Sequence, residues 1–374
     1  MEIRVAKQEL ANGISIVSKA VPSKTTMSIL ECIMIDARGD SIRLIANDME
    51  LGIETAVAGQ IVSGGRIAVG ASMFSNIIRK LPDNEVCLTT DGEKVTITCE
   101  NARFTILGRT GEDFSYLPEL DQENGIKISQ FTLREMITKT IFSISGNESN
   151  GMMTGELLET KGGRLRMVAL DGHRIAMRRV AAKEEYPDRR VIIAGKALSE
   201  ISKILSGDME KGVAIYFTDK HAQFVFDSTQ VVSRLIDGTY YNIDSMLSGN
   251  YTTTVKVNRQ QMLGCLDRAT LLVREEDKKP IIVMLRGSEM EFRINTTLGS
   301  MNETVSVEKE GDDMNIGFNP KFVIEALRAI EDEEITIYLV SPKAPCFIRN
   351  DLAGDVEGQE YCYLILPVNF ITVD

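Results

Sequence analysis

The chain has 374 residues, of which 43% are hydrophobic and 26% charged, with a formal net charge of −12. That length calls for two or three cores rather than one, and the composition excludes a disordered or fibrous chain. The acidic balance excludes a uniformly basic, nucleic-acid-coating surface, but it leaves room for a basic strip on an acidic body.

In chain order, a short strand at Glu2–Val5 leads into a helical stretch from Ala6 to Lys19. A second helix is predicted over Ala71–Leu81, with Phe74, Ile77, Ile78 and Leu81 facing inward at the i, i+3, i+4, i+7 spacing. Alternating strands from Glu85 to Glu100 follow, turned at Asp91-Gly92. The same order returns twice. Helices over Ser129–Ser143 and Gly195–Leu205 (inward Leu198, Ile201, Ser202, Leu205) precede a strand pair in Val213–Asp227. A strand at Lys256-Val257 and helices over Asn258–Leu272 and Pro320–Ile330 (inward Val323, Ala326, Leu327, Ile330) precede another in Glu334–Asn350. The helix ends Leu81, Leu205 and Ile330 are spaced by 124 and 125 residues, one third of the chain each time. Three α+β units follow, bounded near the loops at residues 122 and 250: 1–122, 123–250 and 251–374.

Charge is sorted onto these six helices. They hold twelve basic residues (Lys7, Lys19, Arg79, Lys80, Arg134, Lys139, Lys196, Lys203, Arg259, Arg268, Lys321, Arg328) and five acidic ones, a net +7 against −19 elsewhere. Helix propensity does not explain the asymmetry, because glutamate favours helices as much as lysine does. Helices gathered on one surface facing a polyanion explain it better, with acidic strands turned outward. No segment interleaves aromatic and basic residues, so the contact is expected to be phosphate-directed and independent of base sequence.

Catalysis finds little support. The only histidines are His173, in VALDGHRIAMRR, and His221; no HExxH, P-loop or GxGxxG occurs. Asp171 and His173 share a strand face, but no nucleophile is placed beside them. An enzyme acting on nucleic acid needs a carboxylate metal cluster, and Glu331-Asp332-Glu333-Glu334 reads as a solvated turn. No metal or cofactor is therefore expected. The six cysteines form no CxxC pair; Cys87 and Cys99 are candidates to face each other across a hairpin, with isolated thiols in a reducing cytoplasm as the preferred reading. MEIRVAKQEL has no apolar signal region, and no apolar run reaches the ~20 residues of a membrane span, so a cytoplasmic protein is expected.

With repeats and basic helices established, the chain resembles the bacterial DNA polymerase III beta subunit, the sliding clamp. The resemblance runs through TTMSILECIMI from Thr25, LIANDMEL from Leu44, VALDGHRIAM from Val168, SRLIDGTYY from Ser233, IGFNPKFVIEAL from Ile316 and YLILPV from Tyr363. It implies three clamp domains per chain and a ring-shaped head-to-tail homodimer, with helices on the inner face and antiparallel sheets on the outer face. It further implies a protein that encircles duplex DNA, is loaded by an ATP-dependent clamp loader and tethers the polymerase. Repair and replication factors would dock in a hydrophobic peptide pocket. By resemblance that pocket comprises Met153, Leu170, Gly172, His173, Arg174, Ile175, Tyr241, Met246, Leu364 and Leu366, with Phe322, Pro367 and Val368 in a neighbouring subsite. His173 is then wall, not base. Core packing is the competing reading of Met152, Met153 and Met246.

The DNA-facing set is Lys24, Arg79, Lys80, Arg134, Lys139, Lys196, Lys203, Arg268, Lys321 and Arg328; for Lys24, a solvated surface lysine is an equal alternative. The family match places Phe104 and Ile106 against Leu271 and Leu272 of a second copy, with ordinary core packing as the alternative. Three places depart from the family pattern: Asn369 stands where arginine is usual, followed by a longer acidic tail; Tyr241 replaces a proline; and Asn150-Gly151-Met152 replaces an arginine or aromatic. A non-encircling interaction scaffold of the same fold is the competing function, supported by these departures alone.

Overall fold

Each repeated helical stretch forms a helix in the computed structural model, which describes residues 1–114, 117, 118, 120–147, 149–273, 279–350 and 359–370. The helices are α1 (Lys7–Val17), α2 (Ala71–Lys80), α3 (Gln130–Thr138), α4 (Gly195–Ile204), a short α5 (Ile243–Leu247), α6 (Arg259–Thr270) and α7 (Pro320–Ala329). Asparagines start the last two: Asn258 Oδ1 accepts from the Gln261 N–H at 3.0 Å, and Asn319 Oδ1 from the Lys321 N–H at 3.1 Å, with Pro320 in the first turn. The stretch read as one helix over Ser129–Ser143 breaks after Thr138. Thr138 and Thr140 turn their hydroxyls back onto the carbonyls of Arg134 and Met136, both at 2.8 Å, and only a 3-10 turn follows. The first hairpin turn falls one residue later than expected: Asp91 pairs with Lys94, leaving Gly92-Glu93 as the loop, with Gly92 at φ +55°.

The described residues form two compact units that cut across the sequence thirds. The first, Met1–Leu133 with Glu200–Leu235, holds a thirteen-stranded antiparallel sheet. Strands of the middle third join those of the first third where Thr229–Arg234 pairs with Leu51–Val57, around a buried Thr55–Thr229 hydroxyl bond of 2.8 Å. Leu10, Ile14 and Val17 of α1 and Phe74 and Ile78 of α2 are buried, as their spacing requires. Gly13 lets α1 lie close to the sheet, since a Cβ there would stand 2.4 Å from Val57 Cγ1.

The second unit, Arg134–Ser199 with Ile236–Asp374, holds a twelve-stranded antiparallel sheet joined in the same way, Arg174–Ala181 pairing with Gln359–Ile365. Against it pack Met262, Cys265, Leu266 and Ala269 of α6 with Val323, Ala326 and Leu327 of α7. All six cysteines are free thiols; Cys87 stands opposite Thr98 rather than Cys99.

One buried group in this unit is an acid. Glu156 is fully buried, with Oε2 2.6 Å from Thr140 Oγ1 and Oε1 unpartnered among the described residues. The Thr140 hydroxyl carries one hydrogen and also contacts the Met136 carbonyl, so a protonated Glu156 satisfies both contacts. Burial pushes this carboxyl from 4.5 up to about 8. A raised folded-state value means the associated stability is complete below about pH 4.5 and is lost as pH rises through about 8. Glu156→Gln is therefore expected to flatten the decline in thermal midpoint across that range. An unchanged pH profile of unfolding would show that the native carboxyl is already ionised.

Candidate docking pocket

Three neighbouring strands of the second unit make the floor of a groove with a volume of about 310 Å³. Leu170 pairs with Ile175 across one strand junction, and Ile175 with Leu364 across the next, so three apolar side chains form one cross-strand row. Met153 enters from the 3-10 turn Gly151–Thr154, Tyr241 and Met246 from the segment around α5, and Pro345 from the loop before Cys346. Gly172, His173, Arg174 and Leu366 complete the lining. Ten of the thirteen expected pocket residues are thus brought together. Phe322 lies beside the groove, stacked on His173 with ring centroids 6.2 Å apart. Pro367 and Val368 are outside the lining; the Val368 N–H donates to the Gly317 carbonyl at 2.8 Å.

Asp171-Gly172 makes the tight turn that presents this rim. Asp171 Oδ1 accepts the backbone N–H groups of His173 (2.9 Å) and Arg174 (3.1 Å), and Gly172 takes φ +90°, a conformation that disfavours any side chain. The other Asp171 oxygen accepts from Arg174 Nε at 2.9 Å. The carboxylate is therefore committed to the turn and the guanidinium, and it does not orient the imidazole as a catalytic dyad requires.

Arg174 itself is buried. It bonds Glu325 and the Phe142 carbonyl (2.5 Å) and lies 4.3 Å from the centroid of the Phe322 ring. Its neighbouring acids keep its pKa raised against the burial that opposes it, so the cation is permanent. With Arg174 paired beneath it, the groove presents apolar side chains to its opening: Met246 is 41% and Leu366 39% exposed. Met152 packs over Gly238 and against the core, while Met153 and Met246 line the groove.

The basic residues divide into two groups. Lys139 pairs with Glu135 (2.5 Å), Lys203 with Glu200 (2.7 Å), Arg328 with Asp267 (2.9 Å), and Arg268 grips Glu303 through Nε (2.8 Å) and Nη2. Lys24, Arg79, Lys80, Arg134 and Lys321 are exposed and make no ion pair among the described residues. Lys196 is exposed at the start of α4. In the acidic run, the Glu334 side chain pairs with Lys256 at 2.7 Å and the Asp332 carbonyl accepts from Arg259 Nε at 2.7 Å. Among the described residues no three His, Cys, Asp or Glu side chains cluster as metal ligands, and no helix is long and apolar enough to cross a membrane.

In the first unit, Phe104 and Ile106 lie on the strand Ala102–Arg109, whose residues 102–107 pair on one side only among the described residues. Phe104 is 40% exposed and its neighbour Leu107, which the sequence reading passed over, 81%. In the second unit, Leu271 is 79% exposed just beyond α6, and Leu272 is half-buried. The strand Gly299–Gly311 likewise pairs on one side only over residues 299–306.

Three family models match in succession: the N-terminal domain of the DNA polymerase III beta subunit over residues 1–118, its central domain over 127–242 and its C-terminal domain over 245–368. The chain belongs to the DNA polymerase III beta subunit family. Beta sliding clamps of Staphylococcus epidermidis and Bacillus subtilis are each 30% identical, over 98% of this chain and 99% of their own length. A crystal structure from Eubacterium rectale assigned to the DNA polymerase III beta subunit superposes with a TM-score of 0.94 at 53% identity, covering 99% of each chain. The DNA polymerase sliding clamp of Bacillus subtilis gives 0.93 at 29% identity, covering 99% of this chain and 100% of that one.

Of the departures from the beta subunit pattern, Tyr241 falls in the groove, exposed in its wall, whereas Asn369 follows Val368 outside the lining. Beyond it Phe370 covers Gly317, where a Cβ would stand 2.7 Å from its ring; residues 371–374 of the tail lie outside the described residues. Pro345 was missed by sequence reading. Its loop, SPKAP, follows no periodicity, and only the pairing of Cys346–Arg349 with the last strand brings it to the groove.

Proposed function

We propose that the chain is a sliding clamp: two copies close head to tail around duplex DNA, without sequence preference, and hold the replicative polymerase to it. The full-length match to beta sliding clamps carries this reading, and the apolar groove supplies the feature a tether needs. The thirds 1–122, 123–250 and 251–374 are the three domains. The ATP-dependent loader and repair factors dock in the same groove through short apolar peptides. The protein works in the cytoplasm and performs no chemistry of its own. The non-encircling scaffold loses ground, because the three family models match in succession between residues 1 and 368 despite the departures that suggested it.

Retention on a nicked circular plasmid tests the proposal, using the host's loader and ATP, before and after the circle is cut. A ring held by topology stays on the circle and leaves the linear product. Equal binding to both forms means ordinary electrostatic attachment and overturns encirclement.

The basic helices are expected to contribute unequally to residence on DNA. An exposed, unpaired Lys80 is free to meet phosphate, whereas the Arg268 guanidinium is committed to Glu303. Lys80→Ala should reduce the slope of log affinity against log salt by about 0.9, and Arg268→Ala by clearly less. Equal slopes in the two variants would show that the Glu303 pair opens on DNA.

A further inference from the structure

The wall of the groove that carries Tyr241 and Met246 is short, and α5 within it spans five residues. Ile243 and Leu247 bury one side of α5 in the core; Met246 is on the exposed side. Asp244 is the charged residue of that helix, and its side chain is 67% exposed, yet it reaches a guanidinium that is almost wholly buried. Arg166 Nη1 donates to Asp244 Oδ1, and Arg166 Nη2 pairs with Glu159 Oε2 at 2.5 Å. The other Glu159 oxygen pairs with Arg190 Nε at 3.1 Å, and Arg190 Nη2 donates to the Tyr241 carbonyl at 3.4 Å. Two cations and two carboxylates thus form a closed chain. It starts and ends on the groove wall and is rooted in the strands Gly155–Lys161, Arg164–Leu170 and Arg189–Ala194.

We propose that Asp244 is a positioning residue of the docking groove, fixing the roll of α5 so that Met246 and Tyr241 face the bound peptide. The proposal rests on the docking function assigned above to that groove. Its physical basis is the asymmetry of the pair. Arg166 is rigid, buried and held by Glu159, with its Nε unpartnered among the described residues, so it acts as a fixed post. The Arg166 hydrogen bond holds the Asp244 carboxyl below its ordinary range, which keeps the tie ionised at neutral pH. Without it, α5 is anchored by the buried side chains of Ile243 and Leu247 and, at its C-terminal end, by the bond from Arg349 Nη1 to the Leu247 carbonyl (3.0 Å), which hold it to the core but leave its rotation loose. A flexible methionine on a loose helix makes a poorer receptor, because ordering it then opposes binding.

The test uses the full-length protein and a fluorescein-labelled decapeptide copied from the C-terminal end of the host's replicative polymerase. Asp244→Asn is expected to weaken binding five- to tenfold, with a thermal midpoint within about a degree of wild type. Asp244→Glu, which keeps the charge, is expected to restore most of the affinity. In parallel, the ¹³C-methyl resonance of Met246 in the free protein should move in Asp244→Asn and return towards its wild-type position in Asp244→Glu. Wild-type affinity together with an unmoved Met246 methyl in Asp244→Asn overturns the proposal. A wild-type protein that ignores the peptide sinks the docking reading instead, and the methyl resonance still decides what Asp244 does.

Discussion

Met246→Ala combined with Leu366→Ala is expected to abolish binding of a polymerase tail peptide while leaving the protein folded and its oligomeric state unchanged. Both side chains line the groove and both are more than a third exposed, so neither holds up the core. Truncating them removes apolar surface that only a ligand covers. Residues at the centre of such a receptor typically cost about 2 kcal/mol or more when cut to alanine, so the pair corresponds to a loss of roughly a thousandfold. The floor is a poor place for this experiment. Leu170, Ile175 and Leu364 are buried within the core cluster, and cutting any of them to alanine costs about 2–5 kcal/mol of folding stability. Anisotropy titration measures the affinity and sedimentation velocity the assembly. A double variant that binds within threefold of wild type would place the docking surface elsewhere.

The helices and the threefold repeat were legible because they are local: one face of each helix is apolar at the right period, and burial of Phe74, Leu198, Ile201, Val323 and Leu327 follows directly. Ile77 and Ser202, read as inward, are only half-buried, at the margin of the apolar stripe. The pocket was legible only through resemblance, because its residues come from segments spanning Met153 to Leu366 and no spacing rule joins them. What sequence could not supply was the function of the charges. Resemblance places Arg174 in the pocket, yet its partners Glu325 and Phe142 lie 151 and 32 residues away. Arg268 and Arg328 count as positive in any tally, but each is paired with an acid that folding brings to it. The count of twelve basic residues on the helices therefore overstates how many cations are free to meet phosphate. Leu107 escaped notice because alternation alone leaves the face of a strand open until its neighbours are known.

Leu107→Glu is expected to dissociate the assembly into monomers and to eliminate retention on circular DNA even with an active loader. Two features of the chain, one in each unit, call for a partner. Residues 102–107 form a strand edge without a described neighbour beside Phe104 and Leu107; residues 299–306 form another, and Leu272 Cδ2 lies 3.8 Å from where a Cβ on Gly299 would stand. Exposed edges of this length invite pairing, and exposed leucines beside them argue that such pairing is used rather than avoided. If residues 102–107 of one copy meet residues 299–306 of another, backbone hydrogen bonds continue the sheet across the junction, with Phe104, Ile106, Leu107, Leu271 and Leu272 packed beside it. A glutamate at Leu107 then places an unpaired carboxylate in an apolar contact, at a cost of several kcal/mol for each junction. A head-to-tail ring of two copies has two such junctions, so one substitution acts twice, which is why a single residue is expected to suffice. Folding is spared, because Leu107 is almost wholly exposed in the single chain. Sedimentation velocity at micromolar concentration distinguishes the outcomes. A variant that stays dimeric removes Leu107 from the junction, whereas a monomer that still binds the polymerase peptide with wild-type affinity separates ring closure from docking.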